Sequence, residues 1–103
     1  PTTMAAEFEK RCNYIVDRLN AMPGVQCHHP KGAIYVFPKV DVPGMNSEDI
    51  AMELLKDGVL CSPGSAFGPS GEGHLRFAYT IGLEDIARGM DKVESTLRRL
   101  QNS

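Results

Sequence analysis

A chain of 103 residues is long enough for one domain with one modest core. Apolar residues make up 42%, the formal net charge is -2 and the pI is near 5.9. This balance excludes the basic face of a nucleic-acid binder and the polybasic cluster that holds a protein to a membrane surface. No apolar run approaches the ~20 residues of a spanning helix. Three cysteines, Cys12, Cys27 and Cys61, are too few and too scattered for a disulfide framework. With no signal-like segment, a reducing, cytoplasmic setting is expected. The chain opens at Pro1 and not at methionine, which fits a piece of a longer protein.

Residues 3–22 form the first expected helix. Met4, Phe8, Cys12, Ile15, Leu19 and Met22 recur at helical spacing, with Glu7, Glu9, Lys10, Arg11, Asp17 and Arg18 between them as a solvated face. Pro23-Gly24 stops it. The apolar pattern begins almost at the first residue, as in a helix cut open at its start. Residues 25–28 are a short strand candidate, and Pro30-Lys31-Gly32 is a turn. Residues 33–37 carry β-branched and aromatic side chains on both faces, which predicts a central strand covered on both sides. The spacing pairs it with 25–28 in a hairpin, and 38–44 reads as a loop.

Asn46 or Ser47 can cap a second helix, with Glu48 and Asp49 at its positive end. Ile50, Ala51, Leu54 and Leu55 make its buried stripe, and Gly58 stops it. Residues 59–61 predict a short buried strand. The stretch 62–73 holds four of the ten glycines and the single aromatic Phe67, the composition of an anchored, functional loop. Residues 74–80 alternate cleanly: Leu75, Phe77 and Tyr79 point one way, His74, Arg76, Ala78 and Thr80 the other. In the last helix, 83–100, Leu83, Ile86, Met90, Val93, Leu97 and Leu100 form one apolar face. The order predicts an α/β (α+β) sandwich: a small mixed or antiparallel sheet of about four strands with three main helices packed on it, in a single domain over 1–103.

Arg76 is the residue that stands out chemically. It sits mid-strand after the glycine-rich loop, with small Ala78 on the same face, where a guanidinium can hold a carboxylate by two parallel hydrogen bonds. An exposed strand charge or a structural ion pair is the ordinary alternative. Cys27-His28-His29 has no matching second half and its neighbours alternate between faces, so no metal site is expected. Residues 64–68 do not fit the GxSxG nucleophile elbow, and the loop lacks the GxxxxGK[ST] of a phosphate cradle. Cys61 reads as buried packing. None of Lys10, Lys31, Lys39, Lys56 and Lys92 has the apolar, serine-flanked setting of a Schiff-base lysine.

Three stretches together resemble one family. The first is Phe8-Glu9-Lys10-Arg11-Cys12-Asn13-Tyr14 with Leu19-Asn20 and Pro23-Gly24-Val25; the second is Pro30-Lys31-Gly32-Ala33-Ile34-Tyr35-Val36-Phe37-Pro38. The third, and most specific, is Gly58-Val59-Leu60-Cys61-Ser62-Pro63-Gly64-Ser65-Ala66-Phe67-Gly68 followed by Gly71-Glu72-Gly73-His74-Leu75-Arg76-Phe77-Ala78-Tyr79. In order and spacing they resemble the C-terminal small domain of class I/II (fold type I) pyridoxal-phosphate-dependent aminotransferases, of the aspartate aminotransferase kind. Arg11-Cys12-Asn13 stands where the family often has Arg-Arg-Asp, and Ile34 where phenylalanine is usual.

The resemblance implies pyridoxal phosphate as cofactor, bound mainly by a large domain of the same chain, and amino acid and 2-oxo acid substrates. It implies a homodimer at full length, and it makes Arg76 the grip on the substrate α-carboxylate. No catalytic, cofactor-binding or metal residue is expected here, because the family's Schiff-base lysine motif is absent, and the chain alone is expected to be inactive. Lyase and synthase relatives share the same small domain. The alternative is a free-standing α/β binding or regulatory module for a small carboxylate ligand. A fragment should expose Met4 and Phe8 on a partly orphaned first helix, whereas a module should bury them.

Overall fold

The computed structural model describes residues 2–30, 35–79 and 82–103, the side chains of residues 2–4 excepted. Three helices carry the core: α1 (Thr2–Asn20), α2 (Ser47–Lys56) and α3 (Leu83–Gln101). Among the described residues five short strands, β1 (Val25–Gln26), β2 (Tyr35–Val36), β3 (Lys39–Val40), β4 (Ser62–Pro63) and β5 (Leu75–Ala78), make two antiparallel sheets, in the orders β1-β3 and β2-β5-β4. A bridge between Lys39 and His74 joins them, reinforced by hydrogen bonds from the Val40 N–H to the Gly73 carbonyl at 2.8 Å and from the Leu75 N–H to the Pro38 carbonyl at 3.1 Å. This is the expected α/β architecture of a small sheet with three helices on it.

The helices cover one face of the sheet. Leu75, Phe77 and Tyr79 are buried on that side, in one cluster with Ile15, Leu19, Leu54, Val93 and Leu97. α3 packs against both α1 and α2. Each fully buried Leu or Ile contributes about 1.5–3 kcal/mol from the apolar area it removes from water. The α1–α3 seam is closed at its rim by Arg18, which donates to the Tyr14 hydroxyl at 2.6 Å and to Asp91 at 2.7 Å. As the sequence suggests, Asn46 caps α2: its side chain accepts from the Asp49 N–H while the Asp49 carboxylate accepts from the Asn46 N–H, a capping box.

Several expectations are corrected. Among the described residues, 25–28 does not pair with 35–37. β1 pairs β3, with Val25 opposite Val40, and β2 pairs β5, with Val36 opposite Phe77. The stretch read as a loop over 38–44 therefore contains a strand. Its alternation of exposed Lys39 and Asp41 with buried Val40 and Val42 is the signal that flanking prolines obscured. β2 lies at an edge and β5 is central. Tyr35 and Phe37 are 38% and 41% exposed, on the face away from α1, α2 and α3.

Residues 59–61 are not a strand. Val59 is buried, but Leu60 is 83% exposed, and pairing begins only at Ser62. Leu55 is half-exposed, one position off the stripe that buries Ile50, Ala51 and Leu54. Most of the turn at Pro30-Lys31-Gly32, the start of the strand at Ala33 and Ile34, and Thr80 lie outside the described residues. The side chain of Met4 does too, while Phe8 is half-buried against the core.

Candidate functional site

The sheet's open face gathers the residues the sequence singled out. Clean alternation along β5 places Leu75 and Phe77 in the core, so Arg76 must point the other way. Its backbone position is tightly held. Ser62 of β4 lies opposite it, and the Gly64 N–H donates to the His74 carbonyl at 2.7 Å. The guanidinium carbon sits over two aromatic rings, 4.3 Å from the Tyr35 centroid and 4.5 Å from the Phe67 centroid. A ring face attracts the cation without using its in-plane N–H fork. Among the described residues no carboxylate pairs with Arg76.

Around it lies an open cleft of about 510 Å³ walled by Tyr35, Phe37, Phe67, His74 and His29. Phe37 stacks on His74 with centroids 4.8 Å apart and meets Phe67 edge-on at 6.1 Å. The exposure of Tyr35, Phe37 and Phe67, at odds with a doubly covered strand, is thus local to the arginine. Sequence reasoning found Arg76 and Phe67. It missed the aromatic wall of Tyr35 and Phe37, whose signal was a strand apolar on both faces.

The 62–73 stretch is ordered as two short 3-10 helices, Gly64–Phe67 and Pro69–Gly71. They fold back so closely that a Cβ on Gly64 would lie 2.0 Å from the Gly71 carbonyl oxygen, and only glycine fits there. The loop is also tied to α2. The Glu72 carboxylate accepts from the Ser47 N–H at 2.8 Å, the Ser47 hydroxyl at 3.0 Å and the Gly73 N–H at 2.8 Å. These bonds, led by the one from the Ser47 backbone, hold the Glu72 carboxyl below its ordinary range. No sequence motif announced this contact, which joins residues 25 apart.

In the Cys27-His28-His29 segment, the side chains of Cys27 and His29 make contacts within the protein. The Cys12 thiol meets His29 Nδ1 at 3.6 Å, and the Cys27 thiol donates to the His28 carbonyl at 3.6 Å. Among the described residues no three His, Cys, Asp or Glu are placed to hold a metal ion. Burial, with Cys12 nearby, pushes the Cys27 thiol up to about 11, and burial alone does the same for Cys61. Both are neutral thiols at physiological pH. Cys61 is half-buried beside Pro63 and outside any strand. No described helix is long and apolar enough to cross a membrane.

The chain as a whole has counterparts among known proteins. No family model matches the chain. Individual relatives do: it is 41% identical over 95 residues to an aspartate aminotransferase of Pyrococcus horikoshii, covering 91% of this chain and 24% of that protein. To an aromatic-amino-acid aminotransferase of Thermococcus litoralis it is 38% identical over 96 residues, covering 92% and 24%. The solved alanine aminotransferase from Pyrococcus furiosus superposes with a TM-score of 0.91 at 33% identity, over 95% of this chain and 25% of that one. The chain thus spans about a quarter of the length of the relatives it matches.

Its relatives at 38–41% identity and its solved neighbours are aminotransferases, and the chain is similar to the fold type I ones of the aspartate-like kind. Within them it corresponds to the C-terminal part.

Proposed function

We propose that this chain is the substrate-clamping domain of a pyridoxal-phosphate-dependent aminotransferase, in which Arg76 grips the α-carboxylate of an amino acid or 2-oxo acid. One observation carries the reading: a guanidinium held over Tyr35 and Phe67, at the mouth of an open cleft, with no carboxylate partner among the described residues. A structural ion pair would have a protein carboxylate at hand. An exposed strand charge would not be seated on two rings. The planar fork suits a carboxylate in bidentate geometry, and the aromatic contacts limit the rotamers it must lose on binding.

Pyridoxal phosphate carries the amino group between the two substrates in this class of reaction. The residues described here do not fit the cofactor itself. No described lysine lines the cleft, and Lys56 stands elsewhere, paired with Glu53. We assign cofactor binding and proton transfer to a large domain of the same full-length chain, acting as a cytoplasmic homodimer. The contribution of this part is orientation: fixing the α-carboxylate fixes the direction of the substrate's Cα bonds.

The test is a titration of the 103-residue chain with pyruvate, followed through the backbone N–H resonances of β5, which both the unaltered chain and the lysine variant carry. We expect a saturable shift that Arg76→Lys abolishes or weakens at least about tenfold, because a point charge replaces a bidentate fork. Equal affinity in the lysine variant removes Arg76 from the site.

A further inference from the structure

We propose that Glu72 is a positioning residue for the Arg76 clamp, acting through Ser47 and the glycine-rich loop. This rests on the carboxylate-clamp reading of Arg76. The Glu72 carboxylate takes three hydrogen bonds, two from Ser47 at the first turn of α2 and one from the Gly73 backbone. Ser47 is almost fully buried, and its hydroxyl, while donating to Glu72, accepts from the Ser65 N–H at 3.3 Å. Ser47 thus ties both ends of the loop to the same helix terminus, Ser65 through its hydroxyl and Glu72 through its N–H and hydroxyl. A negative charge is favoured there by the unpaired N–H groups of the first turn.

The consequence reaches the cleft from two sides. Ser65 lies two residues before Phe67, whose ring is under the Arg76 guanidinium. Gly73 precedes His74, which stacks on Phe37 and leads straight into the strand bearing Arg76. Gly64 and Gly71 cross at a separation only glycines permit, so the loop moves as one piece. Its orientation relative to β5 is then set by where it is tethered to α2. The Glu72 carboxylate touches neither the guanidinium nor the cleft wall; the Glu72 carbonyl lies 3.4 Å from His74 Nδ1, a backbone contact that a side-chain substitution keeps, so the influence of the carboxylate on binding passes chiefly through Phe67.

That route makes the role separable from general stability. Three variants of the 103-residue chain decide it: Glu72→Gln, Phe67→Ala and the double variant, with Ser47→Ala as the milder cut of the same link should Glu72→Gln fail to fold. Two signals are read well below the melting temperature: the Arg76 Nε–Hε resonance, displaced by the Phe67 ring current, and the affinity for pyruvate. We expect Glu72→Gln to move the resonance toward its Phe67→Ala position. Each single variant should weaken pyruvate about fivefold, the scale of one ordinary hydrogen bond or one exposed cation–π contact. The double variant should be no weaker than Phe67→Ala alone, since the two act in series.

An unmoved Arg76 resonance in folded Glu72→Gln or Ser47→Ala overturns the proposal, as do single effects that multiply in the double variant. A resonance that moves as expected while pyruvate fails to bind even the unaltered chain upholds the positioning role and refutes the clamp.

Discussion

At Arg76 the chain sets a guanidinium over two rings in the lining of an open cleft. Other ionisable residues have their charge state set by burial or by local bonds. Cys27 and Cys61, with thiols near 11, carry thiolate in only about one part in a thousand at pH 8. Iodoacetamide at that pH should label them at least about a hundredfold more slowly than free cysteine, as read by mass spectrometry; rapid labelling of either would contradict the burial that raises them. Glu72 is shifted the other way. Its folded carboxyl lies below the ordinary value near 4.5, so its contribution to stability is present above that value and is lost as pH falls through the folded one. Glu53 and Asp57 are also lowered and titrate in the same window, Glu53 chiefly through Lys56 and Asp57 chiefly through Thr96. The difference between the unaltered chain and Glu72→Gln isolates Glu72: the Tm gap should narrow as pH drops from about 5 to 3. A gap constant with pH would show that the carboxylate charge is not what holds the loop.

Among the elements, the two short 3-10 helices are the most tightly constrained by sequence. The Gly64–Gly71 crossing leaves no room for a methyl group, and both obstacles to Gly64, the Gly71 and His74 carbonyls, are backbone. Gly64→Ala should therefore cost about 3 kcal/mol or more in urea unfolding, since neither carbonyl can rotate away as a side chain would. A loss below about 1 kcal/mol would mean that the loop can separate from β5 without strain. Elsewhere the elements are held by side chains that imitate backbone. Asn20 donates to the Cys27 carbonyl and accepts from the Cys27 N–H, both at 2.8 Å, standing in for a strand partner beyond the end of β1. Gln101 at the end of α3 donates to the Pro23 carbonyl at 2.8 Å and so fastens the turn after α1.

On the scale of the molecule, the helices lie on one side of the sheet and the arginine cleft on the other. Leu55, Met52 and Leu60 form a second exposed apolar area, beside α2 and away from the cleft. The chain spans about a quarter of its relatives' length, and the cleft has one wall of aromatic and histidine side chains with no described lysine in it. Adding pyridoxal phosphate to the 103-residue chain should therefore give no saturable absorbance band that borohydride fixes onto the protein. A stoichiometric adduct on any of the five lysines would overturn the assignment of cofactor binding to another domain.

Periodicity by itself determined the three helices and the alternation of β5, because a 3.6-residue or two-residue repeat of apolar side chains has one way to face a core. The sequence also exposed Arg76, the polar position of that alternation, and the glycines of the loop. Strand partnership was decided only in three dimensions. Residues 25–28 and 33–37 are near in sequence, yet β1 chose Val40 and β2 chose Phe77, since pairing follows which side chains can share the core. The same holds for Glu72 and Ser47. Neither residue type signals the other at a separation of 25, and their bond exists because folding brings the loop onto a helix terminus whose unpaired N–H groups need an acceptor. Local repeats are written along the chain, but contacts that satisfy leftover polar groups depend on the packing that leaves them over.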